Sequence, residues 1–116
     1  MEVTVDNDVV LSEAWSRVRD AELPDHTIRY GITSLRKLVL LCQELQKVYG
    51  EEPFPLSHRR VAEHMRLVAY KPDAQGFRWD YPLIVRWVRK RLNNRTLKIE
   101  EERKWVGNTY RYVAED

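Results

Sequence analysis

Four side chains that can hydrogen-bond to the edges of DNA bases recur at helical spacing in the second half of the chain: Arg86, Arg89, Lys90 and Asn93. Spacings of three and four residues put them on one face of a helix, while Ile84, Trp87, Val88 and Leu92 fall on another. Arginine can make a pair of hydrogen bonds to guanine, asparagine can do the same to adenine, and the major groove admits an α-helix. The pattern predicts a helix that reads DNA; the alternative is a solvated basic face without a ligand.

The charge of the chain is unevenly distributed, although its net value at pH 7 is only +2. Residues 1–33 hold three basic and seven acidic residues, a balance of −4, whereas residues 57–98 hold eleven basic and three acidic residues, a balance of +8. A local excess of positive charge attracts polyanions and speeds their encounter with the surface. The second half of the chain is therefore expected to face nucleic acid.

Apolar periodicity and capping residues predict four helices that would position this basic segment, over about residues 9–21, 34–49, 58–68 and 80–92. Thr33 and Ser57 are suited to cap the second and third helices, and Gly50 to stop the second. Pro24 ends the first helix, and Asn93 with Asn94 ends the fourth. Between the third and fourth helices, residues 69–79 form an eleven-residue connection that is expected to be a loop.

The second helix has the clearest apolar stripe and is expected to be the spine of the core. Its predicted inward residues are Leu35, Leu38, Val39, Cys42, Leu45, Val48 and Tyr49. Phe54 and Leu56 predict a short extended segment after it. Two β-prone runs, over about residues 96–105 and 109–113, flank a Gly-Asn pair that is typical of a hairpin.

The order of long helix, helix opening with Ser57, basic helix and hairpin resembles a winged helix-turn-helix DNA-binding domain over residues 33–113. This interpretation makes residues 1–32 a tail with an added helix, and residues 33–116 the winged-helix domain of one compact, mainly helical unit. The runs Cys42-Gln-Glu-Leu-Gln and Pro53-Phe-Pro-Leu-Ser-His-Arg-Arg-Val-Ala-Glu look like winged-helix segments of phage, plasmid and mobile-element replication or regulatory proteins.

The resemblance implies that Arg86, Arg89, Lys90 and Asn93 enter the major groove and that Arg59 and Arg60 bond phosphate. It also implies that the hairpin contacts DNA through Arg103, Lys104, Asn108 and Arg111. Two features depart from the family pattern. The connection over residues 69–79 is longer than the usual turn of about three or four residues, and Glu100, Glu101 and Glu102 would repel phosphate if they faced it.

Residue patterns for catalysis are absent. His26, His58, His64 and the single Cys42 lack metal-ligand spacing, and no glycine-rich phosphate loop occurs among four glycines. Of the glutamates in residues 100–102, only the first and last could converge on a metal, because neighbours on a strand point to opposite faces. The chain is therefore expected to be no enzyme and to need no cofactor or metal, with Cys42 buried and inert.

The expected function is duplex DNA binding in transcriptional regulation, or in replication and mobile-element function. The alternatives are a winged-helix adaptor that holds a protein partner, and a single-strand binder that stacks bases on tryptophan. Trp87 is expected to be buried, whereas Trp79 and Trp105 have no assigned role. A homodimer through the N-terminal helix and a larger nucleoprotein complex are further expectations. The absence of a secretory signal or an apolar run of about 20 residues predicts a cytoplasmic, nucleoid-associated protein with no membrane contact.

Overall fold

The computed structural model describes residues 6–70, 77–101 and 109–113, which form a mainly helical fold with small antiparallel sheets. The helices are α1 (Asn7–Val18), a 3-10 helix (Asp25–Tyr30), α2 (Thr33–Tyr49), α3 (His58–His64) and α4 (Tyr81–Trp87), which continues as a π-helical segment (Val88–Leu92). The strands are β1 (Phe54–Pro55), β2 (Val68–Tyr70), β3 (Phe77–Trp79), β4 (Leu97–Glu101) and β5 (Thr109–Tyr112). The predicted order of four α-helices followed by two paired strands is confirmed.

Helix α2 is the spine of the core, as its apolar stripe predicts. Its buried residues are Leu35, Leu38, Val39, Leu40, Leu41, Cys42 and Leu45. The prediction was wrong for Val48, which is 50% exposed, and Tyr49 is only partly buried. Both residues lie in the last turn of the helix. Gly50 follows with φ 66, so it ends the helix as expected.

Helix α1 packs its apolar face against α2 and belongs to the same core as the rest of the chain. It begins at Asn7 rather than near Val9, because the Asp6 carboxylate caps the backbone amides of residues 8 and 9. The buried residues are Leu11, Ala14, Trp15 and Val18. Lys37 of α2 donates to the Arg19 carbonyl at the end of α1. The apolar face of α1 is therefore covered by α2.

The connection into α2 contains a 3-10 helix that sequence patterns do not predict. The Thr27 hydroxyl is fully buried and donates to the Pro24 carbonyl, while Arg36 of α2 donates to that same hydroxyl. Ile32 occupies the N-cap position without a side-chain hydrogen bond, and Thr33 is the first helical residue. The prediction of Thr33 as the N-cap was therefore wrong by one residue, because the 3-10 helix fixes where the chain can enter α2.

Helix α3 is shorter than its predicted span. It starts where expected, with the Ser57 hydroxyl accepting from the Arg60 amide, but it ends at His64. Arg66 has φ 55, and the Leu67 amide turns back to the Ala62 carbonyl. This left-handed residue redirects the chain into β2, so Val68, the last residue of the predicted helix, lies in a strand and is 49% exposed.

The two ends of the predicted loop between α3 and α4 are strands, which pair with each other as one β-ribbon. Strands β2 and β3 pair antiparallel, with Val68 opposite Trp79 and Ala69 opposite Arg78. The Asp80 amide donates to the Leu67 carbonyl at 2.7 Å, which closes the base of the ribbon. Residues 71–76, which include the proline and glycine of the predicted loop, lie outside the described residues.

Helix α4 starts at Tyr81, with the Asp80 carboxylate capping the Leu83 amide and Pro82 in the first turn. Its apolar face is buried as predicted, through Ile84, Trp87, Val88 and Leu92. Residues 84, 88 and 92 are each four apart, a spacing that drifts around an α-helix of 3.6 residues per turn. The wider turn of the π segment corrects that drift and brings Leu92 back over the core.

Strands β4 and β5 form the predicted hairpin, and β5 also pairs with β1, giving the strand order β1-β5-β4. Phe54 lies opposite Tyr110, and both side chains are buried. The Tyr112 amide donates to Gln46 of α2 at 2.8 Å. The hairpin is therefore attached to the rest of the fold through both β1 and α2, and residues 102–108, which connect its two strands along the chain, lie outside the described residues.

Candidate nucleic-acid interface

Three of the predicted reading residues, Arg86, Arg89 and Lys90, are exposed on α4 and its π-helical continuation. Ile84 and Leu92 on the buried side are fully covered by the core, and Trp87 is nearly so. Because that side is held by packing, the basic side has a fixed orientation relative to the rest of the fold. These three residues are called the basic face below.

Asn93 is the predicted reading residue that lies outside the helix. Its backbone is extended, with φ −61 and ψ 132, and its side chain is half-buried. Asn93 forms an isolated β-bridge with Leu97, and the Asn94 amide donates to the Leu97 carbonyl at 2.8 Å. Asn94 has φ 63, the left-handed conformation that asparagine tolerates. Asn93 therefore belongs to the turn into β4, and helical spacing does not place it with the basic face.

Arg89 lies close enough to the start of α3 for its charge to act on His58. Burial is the larger cause that lowers the pKa of His58, and the neighbouring Arg89 guanidinium lowers it further. The His58 ring also hydrogen-bonds the Tyr110 hydroxyl at 2.9 Å. The basic face thus adjoins the first turn of α3, where the predicted phosphate ligands Arg59 and Arg60 lie.

Arg59 faces a surface pocket of about 370 Å³ together with Arg78, Trp79 and Tyr81. Arg78 projects from β3 over the Tyr81 ring, with its guanidinium carbon 5.8 Å from the ring centroid. Trp79, its neighbour along the strand, packs against the core. Two guanidinium groups and an aromatic ring therefore meet at the junction of α3, β3 and α4. Arg78 and Tyr81 were missed from the sequence because the connection was interpreted as loop.

Arg60 differs from Arg59 in having acidic partners within the chain. Its guanidinium lies 3.8 Å from the Asp8 carboxylate of α1 and 3.5 Å from the Glu63 carboxylate of its own helix. All three side chains are about half exposed or more, so these ion pairs are weak. Arg60 therefore links α1 to α3, and part of its charge is compensated.

On the hairpin, Arg111 is the only predicted wing residue within the described part of the chain. Its guanidinium pairs with the Glu100 carboxylate across the β4–β5 ladder at 3.1 Å, and it also donates to the Glu51 carbonyl. Arg111 thus ties the hairpin to the segment after α2. Arg103, Lys104 and Asn108 lie outside the described residues, as does Glu102.

The tryptophans offer little exposed stacking surface in the described residues. Trp15 and Trp87 are buried, as expected for Trp87, and Trp79 is half-buried against the core. Tyr110 is also buried, whereas Tyr81 is 43% exposed. Trp105 lies outside the described residues. Tyr81 is therefore the aromatic side chain beside the basic face that is most open to a ligand.

Within residues 6–70, 77–101 and 109–113, no group of three or more His, Cys, Asp or Glu side chains is arranged to hold a metal ion. Cys42 is buried in α2, and this burial raises the pKa of its thiol. The described helices include none with the length and apolarity to span a bilayer. The cationic surface around α4 is therefore the chemical feature of the described residues that most clearly selects a class of ligand.

Comparison with protein-family models, with curated protein sequences and with solved structures found no match. The function of this surface is therefore inferred from its own residues, their exposure and their charge.

Proposed function

We propose that this chain is a winged-helix module that binds duplex DNA through α4 and its π-helical continuation. The observation that carries the proposal is the exposure of Arg86, Arg89 and Lys90 on a helix whose opposite side is buried in the core. Arginine and lysine on an exposed helix are suited to base edges and phosphates of the major groove. The regional balance of +8 over residues 57–98 supports a polyanionic partner.

The arrangement of elements supports the winged-helix interpretation. A long core helix, a short helix capped by Ser57 and a basic helix precede a two-stranded hairpin. Because β5 pairs with β1 immediately before α3, the hairpin is held beside the same helices that carry the cationic residues. In place of a short turn, the β2–β3 ribbon joins α3 to α4 and contributes Arg78 next to Arg59.

In this proposal Arg86, Arg89 and Lys90 contact the major groove, while Arg59 and Arg78 contact phosphate on its flank. Arg60 and Arg111 have carboxylate partners inside the chain and are given a structural role. The proposal covers two roles for such a module: transcriptional regulation, and replication or mobile-element function.

The proposal is tested by fluorescence polarisation with labelled mixed-sequence duplex DNA at about 50 and 200 mM salt. Each phosphate contact contributes about −0.9 to the slope of log K against log salt, so the contacts of Arg59 and Arg78 alone should weaken binding about tenfold between these two concentrations. The variant Arg86→Ala/Arg89→Ala/Lys90→Ala should lose this binding. A matched control is Arg17→Ala/Arg19→Ala/Lys47→Ala, which removes the same amount of charge from exposed positions. Arg17 lies in α1, Arg19 directly after it and Lys47 in α2.

The control should lose much less affinity than the α4 variant, and circular dichroism should show that both remain folded. Equal losses would mean that binding follows net charge alone and would refute the role of the basic face. Absence of salt-dependent binding by the unaltered protein would refute the DNA proposal and leave the protein-adaptor alternative.

A further inference from the structure

A second cationic site lies where the 3-10 helix meets the end of the π segment and the turn into β4. Here a surface pocket of about 290 Å³ is lined by Arg29, Tyr30, Arg91, Arg95 and Thr96. Three of these five residues are arginines, drawn from positions up to 66 residues apart in the chain. No carboxylate is among the described residues that line the pocket.

Two of the guanidinium groups are held in position by Tyr30. Arg29 donates to the Tyr30 hydroxyl at 3.0 Å and lies 5.0 Å from the ring centroid, while Arg91 donates to the Tyr30 carbonyl at 3.1 Å. Tyr30 is itself fixed, because it is buried and its hydroxyl is hydrogen-bonded to the buried Thr96 hydroxyl. Side chains that are already ordered lose less conformational entropy when a ligand binds.

The charge of the pocket defines the chemistry of its ligand. Three guanidinium groups around one small concavity concentrate positive charge there, and each of them attracts an oxyanion that enters it. Each guanidinium presents a planar fork of donors that matches the oxygens of phosphate, and such charge-assisted hydrogen bonds are among the stronger ones in proteins. Tyr30 and Thr96 complete the lining, with their hydroxyl groups hydrogen-bonded to each other.

This pocket is distinct from the basic face. Arg91 follows Lys90 directly, so its side chain leaves the helix in a different direction, and it reaches the Tyr30 carbonyl. Arg95 lies in the turn that follows the helix, where its own backbone amide donates to the Leu92 carbonyl. The two cationic sites therefore share one helical segment but face different parts of the fold.

We propose that Arg29, Arg91 and Arg95 form a phosphate-binding pocket, separate from the groove-reading residues. The phosphate group belongs either to a small phosphorylated ligand or to a DNA backbone that passes the end of the helix. Only the second source depends on the proposed function.

Phosphate binding is measured first without DNA, by calorimetric titration and thermal unfolding with inorganic phosphate against chloride at matched ionic strength. The unaltered protein should show saturable heat and a higher Tm, because a ligand that binds only the folded state stabilises it. Arg91→Gln and Arg95→Gln should each weaken binding by about tenfold or more. Lys47→Gln, which removes one exposed charge from α2, should leave it unchanged.

The salt dependence of duplex DNA affinity then distinguishes the two sources. If the site holds a backbone phosphate, Arg95→Gln should reduce the slope of log K against log salt by about 0.9. If it holds a small ligand, the slope should be unchanged while phosphate binding is still lost. Two outcomes would overturn the proposal, each combined with an unchanged salt slope. In the first, phosphate has no effect on the unaltered protein; in the second, phosphate affects Arg91→Gln and Arg95→Gln as strongly as it affects the unaltered protein. Loss of DNA binding by the Arg86, Arg89 and Lys90 variant is a separate result and leaves the phosphate measurement interpretable.

Discussion

The Nε2 atom of His58 lies 2.9 Å from the hydroxyl of Tyr110, joining the first residue of α3 to the middle of the hairpin strand β5. The two rings meet edge-on with their centroids 6.0 Å apart, and Tyr110 also contacts Phe54 of β1. Tyr110 is 1% exposed, so this contact is part of the core rather than of the surface. The position of the cationic residues at the start of α3 is thereby coupled to the position of the hairpin.

The first prediction concerns the pH dependence of stability. Burial, and secondarily Arg89, lower the pKa of His58 below its ordinary value of 6.5. The native state thus favours the neutral ring, so the stability that His58 contributes is complete above pH 6.5 and is lost as the pH falls through its lowered pKa. As the pH is lowered from about 7.5 to 5, we expect the free energy of unfolding of the unaltered protein to decrease more steeply than that of His58→Gln, because the glutamine side chain does not titrate.

The comparison of His58→Gln with the unaltered protein is made by urea denaturation at several pH values. Parallel profiles of stability against pH for the unaltered protein and His58→Gln would contradict the lowered pKa of His58.

The second prediction concerns the core face of α2. Leu41 is fully buried, whereas Val48 in the same helix is 50% exposed. Leu41→Ala should reduce the free energy of unfolding by about 2–5 kcal/mol, because it removes apolar contacts and leaves a cavity. Val48→Ala should change it by less than about 0.5 kcal/mol. Urea denaturation measures both, and a large cost at Val48 would show that the end of α2 is covered.

The third prediction concerns the β2–β3 ribbon. Arg78 is exposed on β3 beside Arg59 and Tyr81, and the proposed function makes it a phosphate ligand. Arg78→Gln should weaken duplex DNA binding and lower the salt slope by about 0.9. Lys47→Gln removes one exposed charge from α2 and serves as the control. An Arg78 variant with the affinity and slope of the control would exclude the ribbon from the interface.

Much of the helical part of the fold follows from local sequence patterns. Ser57 and Asp80 cap their helices as their residue types and positions suggest, and Gly50 takes the positive φ that ends α2. The apolar spacing of Ile84, Trp87, Val88 and Leu92 identified the buried side of α4. These features are local, because caps and periodicity depend on residues a few positions apart.

The features that were not predicted depend on tertiary contacts or on unusual backbone conformations. Arginine is not a residue type that predicts a positive φ, yet the positive φ of Arg66 ends α3 and directs the chain into β2. The pairing of β1 with β5 joins residues more than 50 positions apart, and the arginine pocket joins Arg29 to Arg91 through Tyr30. Such arrangements are set by packing of the whole chain, so spacing along the sequence does not reveal them.

The π-helical turn over Val88–Leu92 has a consequence for how this fold can vary among related chains. A π turn accommodates one residue more than the α-helix it interrupts, so it corresponds in evolutionary terms to a single-residue insertion. Deleting one residue within this turn would therefore restore a regular α-helix and leave the segment after it in the same orientation relative to the core. An alignment of homologues should carry a single-residue gap at this turn.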